Sequence, residues 1–328
     1  MRLLVIFTGG TIGSSLSYGW ISPDKSTANQ LISNYQQVET DADTLFETIS
    51  PYTILSENLS ADELNKLISC IEEAQKKDYD GIIVTHGTDT LQYTAAALDY
   101  TLSKKIPVLL VSAAYPLQDG RSNGLDNFRA AVRFLKTRPQ SGVYVSYQNA
   151  ADRQTHIHLA TRLLSHGETS ADLHSLGAPY ATVDNDKDSV TVNPICKLAN
   201  SQSIGAIPFC KNSGVLVVES YPENVYQYDL DQYVVVLLSP YHSGTLNTAS
   251  EHFQRFCFAC KQKGIPVFVT GITSETAYDS SKAFADLGII PLPFCTRIAI
   301  FVKCWLAKSA GKDVKKFVLT PLSHEFLK

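Results

Sequence analysis

Two short segments carry side chains able to act on a carbonyl carbon: Thr8-Gly9-Gly10-Thr11-Ile12-Gly13 and His86-Gly87-Thr88-Asp89-Thr90. Each sets a threonine hydroxyl directly after a glycine, and the second adds a carboxylate beside it. A threonine hydroxyl is a poor nucleophile at neutral pH and needs a base or a relayed water, together with donors aimed at the developing oxyanion. A second threonine can complete such a relay, so the pair reads as a nucleophile and its partner. Taken singly, the first segment also reads as a tight turn or a phosphate cradle, and the second as a helix cap. Neither G-x-x-x-x-G-K-[ST] nor G-x-G-x-x-G is present, which leaves the phosphate reading little support.

Both segments follow short apolar runs, 3–7 and 81–85, so each lies at a strand end, where ligand crevices form in open α/β sheets. Strand-like runs at 107–112 and 142–147 alternate with amphipathic stretches at 61–76, 90–102 and 123–136, which is a βαβ series. The runs are nearly all apolar, as parallel strands covered on both faces require. Ser60 before Ala61-Asp62-Glu63 is a capping box. At 328 residues the chain exceeds the size of one growing core. The expectation is a larger N-terminal domain, 1–182, an α/β fold with a doubly wound, mostly parallel sheet. The Asp/Asn/Ser-rich stretch 183–213 reads as a linker, and 214–328 as a smaller C-terminal α/β domain.

Hydrophobic residues make up 44% and charged residues 18% of the chain, a globular balance, and the formal net charge is −4. With no like-charge block, nucleic acid and membrane partners are disfavoured. The opening apolar run is too short for a signal-peptide core, which makes the cytoplasm the expected compartment. Seven scattered cysteines do not form a disulfide framework. Only Cys257 and Cys260 have metal-like spacing, but with no second pair they read as buried thiols on a helix, and no metal or cofactor is expected.

The T-G-G-T-I-G at 8–13 and H-G-T-D-T at 86–90 closely resemble the two signature motifs of the bacterial-type L-asparaginase family. Ala95-Ala96-Ala97-Leu98, Pro116-Leu117 and Arg121-Ser122-Asn123-Gly124 with Asn127 match its pattern too, to about residue 140. The resemblance implies hydrolysis of the side-chain amide of L-asparagine, a small-molecule amino-acid amide, by a homodimer or homotetramer without cofactor. It makes Thr11 the nucleophile, acylated during turnover, and Thr88 the second catalytic threonine. Asp89 would bind the substrate ammonium and Ser56 its α-carboxylate, with Glu57 beside it. Gly10 and Gly87 would lend backbone contacts, Ala113 a backbone carbonyl, and Tyr18 would close over the substrate.

One departure stands out. The family's lysine, which joins the second threonine and the aspartate in a triad, has no counterpart: Ser165 occupies its expected place, His166 follows, and no lysine lies between Lys136 and Lys187. His156, His158 and His166 are candidates to replace the cation. Alternatively the substrate is another carboxamide, or the fold is an amino-acid-binding module. A further reading is the asparaginase-like component of an archaeal Glu-tRNA amidotransferase, which shares an S-E-N stretch like Ser56-Glu57-Asn58. That reading wants an N-terminal extension and a basic surface, and neither is visible in the sequence. The stretch from Ser239 to Thr248 replaces a Y-G-x-G-N-like turn, and either approaches a partner's site or simply leads into the helix near Glu251.

Overall fold

The computed structural model describes residues 1–24, 27–40, 43–196, 198, 202–272 and 278–327. The chain divides into two compact units, Met1–Ala206 and Ile207–Lys328.

In the first unit the chain runs β1 (Arg2–Phe7), a hairpin of β2 (Ser14–Ser17) and β3 (Trp20–Pro23), α1 (Thr27–Val38), β4 (Leu45–Ile49), α2 (Ala61–Ala74), β5 (Gly81–Thr85), α3 (Leu91–Thr101), β6 (Val108–Val111), α4 (Gly124–Lys136), β7 (Val143–Tyr147), β8 (Thr155–Leu159), β9 (Ala181–Asp184) and β10 (Ser189–Val192). Eight strands form one sheet in the order β10-β9-β8-β7-β6-β5-β1-β4. From β7 to β4 all neighbours are parallel, whereas β8, β9 and β10 join antiparallel. β5, β6 and β7 are buried along their whole length, which explains their unbroken apolar runs. Leu3, Val5 and Phe7 face a core shared with Leu31 and Tyr35 of α1 and Phe128 of α4. Leu4 and Ile6 point to the opposite face by strand alternation and are equally buried, on the side where α2 packs against α3. Helices on both faces make the sheet doubly wound, as the periodicity predicts.

The stretch read as a linker from 183 onward is corrected. Its first part is the β9–β10 hairpin, with Ala181 and Val183 buried in the sheet core. The acidic, amide-rich run is the hairpin turn, where the Asp184 carboxylate accepts from the Asp186 and Lys187 N–H groups. Asp/Asn clusters signal a turn whether it joins two strands or two domains; the division itself falls at Ala206/Ile207, inside the 183–213 stretch.

The second unit contains β11 (Val215–Glu219), β12 (Val235–Ser239), α5 (Glu251–Gln262), β13 (Val267–Val269), β14 (Ile289–Pro291), α6 (Arg297–Ser309) and α7 (Val314–Leu319). Its four strands are parallel in the order β11-β12-β13-β14. Alternate residues of β12 fill two cores: Val236 and Leu238 with α5, Val235 and Leu237 with α6 and α7.

Candidate active site

β1 is the switch point of the first sheet, because the chain places β4 on one side of it and β5 on the other. Parallel strands present their carboxyl ends at one edge, so the loops after β4, β1, β5 and β6 lie side by side there. The loop after β1 is held by its neighbours: Thr8 Oγ1 donates to Thr85 O (2.6 Å), Ile54 N to Thr8 O (3.0 Å) and Gly10 N to Ile54 O (2.9 Å). A 3-10 turn, Thr11–Gly13, follows.

The loops meet through glycine. A Cβ on Gly10 would stand 2.2 Å from Gly87 N, and one on Gly87 would stand 2.4 Å from Ser56 Oγ. Gly10 also has φ 73 and ψ 179, a backbone state open essentially to glycine alone. The two motifs therefore touch one residue before Thr11 and one before Thr88, both of which are part-exposed.

Ser56 closes the third side. It is buried, its Oγ donates to Asp89 Oδ2 (3.2 Å), and its carbonyl accepts from Thr90 Oγ1 (2.9 Å). Thr90 is the N-cap of α3 but makes no side-chain cap bond; its hydroxyl proton goes to the Ser56 carbonyl. Asp89 reaches across to Ser56, so the capping interpretation of this segment does not describe the contacts it makes. Asp89 and Glu57 are exposed at the mouth of the site.

Behind the second loop His86 is fully buried, with Nδ1 2.8 Å from Gly87 O and Nε2 2.9 Å from Thr94 Oγ1. A carbonyl only accepts, so Nδ1 carries the proton and Nε2 receives the threonine hydroxyl. Burial holds this ring neutral and lowers its pKa to about 4. The loop after β6 contains Ala113, fully buried, and is fixed by two amides: Asn123 bonds Ala114 N (2.9 Å) and Gln148 O (2.7 Å), and Asn127 donates to Ser112 O (2.9 Å).

Residues 2–187 match the family described as Asparaginase, N-terminal. The chain belongs to the asparaginase family. Among relatives, it is 26% identical over 334 aligned positions to a glutamyl-tRNA(Gln) amidotransferase subunit of Methanococcus vannielii, covering 97% of this chain and 77% of that one. It is 31% identical over 199 positions to the Methanosarcina mazei protein of the same name, covering 58% and 45%. The L-asparaginase of Thermococcus kodakarensis shares the fold with a TM-score of 0.78 at 23% identity over all of both chains. L-asparaginase I from Vibrio cholerae does so at 0.80 and 20%, covering 100% of this chain and 99% of that one.

Of the three histidines that could replace the asparaginase lysine, two point elsewhere. His156 pairs with Asp152 (3.2 Å). His158 is buried against Ser175 Oγ (2.8 Å), and burial lowers its pKa to about 3. His166 alone of the three is bonded to the site, with Nε2 3.0 Å from Thr88 O, while Ser165 is exposed. Tyr18 stands apart from the loops, fully exposed at the tip of the β2–β3 hairpin with φ 50. Cys257 and Cys260 face the apolar core under α5, where burial pushes their thiols up to about 12 and 11. No group of three or more His, Cys, Asp or Glu among the described residues is placed to hold a metal. In the second unit, the stretch after β12 forms a turn closed by Gly244 N to Tyr241 O (2.8 Å) and leads to Ser250, the N-cap of α5. The Ser56–Asp89 and His166–Thr88 contacts join residues with no shared sequence pattern, and only the fold reveals them.

Proposed function

We propose that this protein is an amidohydrolase that cleaves the side-chain carboxamide of L-asparagine, releasing ammonia. The observation that carries the reading is the Gly10–Gly87–Ser56 junction, which crowds two threonine loops and the Ser56–Asp89 pair against one another with no room for a side chain. Thr11 Oγ attacks the amide carbon, the C–N bond breaks as the leaving nitrogen takes a proton, and ammonia departs from a threonyl ester. Water activated near Thr88 then hydrolyses that ester. Asp89 answers the substrate ammonium, Ser56 takes its α-carboxylate with Glu57 next to Ser56 in the wall of the site, and Gly10, Gly87 and the Ala113 carbonyl frame the substrate. Tyr18 closes from the hairpin tip. By family resemblance the protein acts in the cytoplasm as a homodimer or homotetramer, with no cofactor. Glutamine differs by one methylene, a discrimination worth about 1–3 kcal/mol and set by pocket depth.

The test is ammonia release from L-asparagine and L-glutamine by the wild type and by Thr11→Ala and Thr88→Ala. Release abolished in both variants supports the reading. No release, with L-asparagine still raising the melting temperature, replaces the enzyme by an amino-acid-binding protein. The shared name of the relatives favours a second reading, in which the same amide cleavage serves one component of an amidotransferase. Ammonia release that appears only with a co-purified partner chain would select it.

A further inference from the structure

His166 ties the chain beyond β8 to the second threonine loop. Its Nδ1 lies 3.0 Å from the main-chain carbonyl of Asp172 and its Nε2 3.0 Å from that of Thr88. Carbonyl oxygens only accept, so each contact calls for an N–H on the ring. A neutral imidazole has one, and its other nitrogen would aim a lone pair at an oxygen. His86 shows the contrast: its Nε2 meets a hydroxyl, which can donate, and a neutral tautomer satisfies both contacts.

We infer that His166 is held as an imidazolium and serves as the positioning cation of the 86–90 loop, donating Nε2–H to Thr88 O and Nδ1–H to Asp172 O. Two charge-assisted bonds fix the backbone on which the Thr88 hydroxyl and the Asp89 carboxylate are mounted, and they set a positive charge against that backbone. His166 touches no reacting atom in this role and acts through the loop. The ionisable side chains on the segments that meet the ring are His86 and Asp89 on the loop, and Arg162, Glu168, Asp172 and His174 on its own stretch. The Asp172 carboxylate is engaged by Ala150 N (2.9 Å), and Asp89 by Ser56. The inference rests on the amidohydrolase reading for its effect on turnover, but the charge state stands on the hydrogen bonds alone. The active form is the protonated one, so turnover is lost as pH rises through the deprotonation of this ring.

Ring 15N spectra of the wild type across pH, with the His166 signals assigned by their loss in His166→Lys, read the charge directly. Both nitrogens protonated throughout the active pH range is the expected result. Turnover of L-asparagine is then compared among the wild type, His166→Ala and His166→Lys. The alanine variant should lower kcat by about 10- to 100-fold, the worth of a lost charged hydrogen bond, with a smaller change in KM. It should also lose the alkaline fall of the pH profile, while the lysine variant restores most of kcat and moves that fall to higher pH. A singly protonated ring in the active range, or wild-type kcat and pH profile in His166→Ala, overturns the inference. If the wild type releases no ammonia from L-asparagine or L-glutamine while both nitrogens are protonated, the amidohydrolase reading falls and the imidazolium is upheld.

Discussion

Two residues without side chains do as much to shape this site as the threonines beside them. Gly87 is fitted against Ser56, whose Oγ and Cβ would lie 2.4 and 2.6 Å from an added Cβ. Gly87→Ala is expected to cost about 1–3 kcal/mol through overpacking. Ser56→Gly in the same chain should recover part of that stability in urea unfolding without recovering activity, because the Asp89 partner is gone. A Gly87→Ala protein of unchanged midpoint would contradict the junction. The buried histidines make a separate prediction. His86 and His158 are lowered from 6.5 to about 4 and about 3. The unfolded chain thus binds protons at these sites that the folded chain does not. Their contribution to stability is whole above their ordinary value and is lost as pH falls from about 6.5 through 4 for His86 and through 3 for His158, on the order of a few kcal/mol each. Calorimetric melting between pH 7.5 and 4 should show the decline, and His158→Gln should flatten it. An unaltered slope in that variant would place its origin in other groups.

At the scale of elements, the β2–β3 hairpin and the C-terminal tail differ in what holds them. The hairpin turns on Tyr18 and Gly19, with φ 50 and 82, the positive pair of a two-residue turn that asparagine also accepts. Tyr18→Asn should leave the melting temperature within a degree or two, since the side chain is fully exposed. Amidase kcat should nonetheless drop if the phenol closes on the substrate, and an unchanged kcat removes Tyr18 from the machinery. The tail is held by charge. Lys303 on α6 bonds Glu325 (2.5 Å) and Thr320 O (2.6 Å), both ionic side chains are fully buried, and Glu325 also accepts from Leu322 N and Ser323 N. Lys303→Met leaves that carboxylate alone in the interior and should cost about 3–5 kcal/mol in denaturant unfolding. The double variant with Glu325→Leu should be milder than the single one, and a single variant of wild-type stability would show the pair to be idle.

The molecule as a whole is two units, each with its own apolar interior. The second has a parallel sheet with a separate core on each face, one under α5 and one under α6 and α7. Such a unit buries its strands without help from elsewhere in the chain. A fragment of residues 207–328 is therefore expected to unfold as one cooperative transition by circular dichroism, and a non-cooperative melt would show that its cores are incomplete alone.

How much of this was legible in the sequence follows from how local each signal is. Thr11, Thr88 and Asp89 were visible as types at fixed spacing beside glycines, and β1, β5, β6 and β7 as apolar runs, because strands covered on both faces need no partner to reveal their burial. β4 was not: it is an edge strand exposed along nearly its whole length, so no face of it is apolar. β9 and β10 were hidden by a turn whose composition equals that of a linker. The sequence alone thus determined the α/β class, the family and the two threonine loops, all carried by neighbouring residues. The tertiary structure alone decided what stands between those loops. Ser56 and Asp89 are 33 residues apart, and His166 and Thr88 are 78. Contacts at such separations are set by strand order and by loops meeting at one sheet edge, which local spacing does not encode.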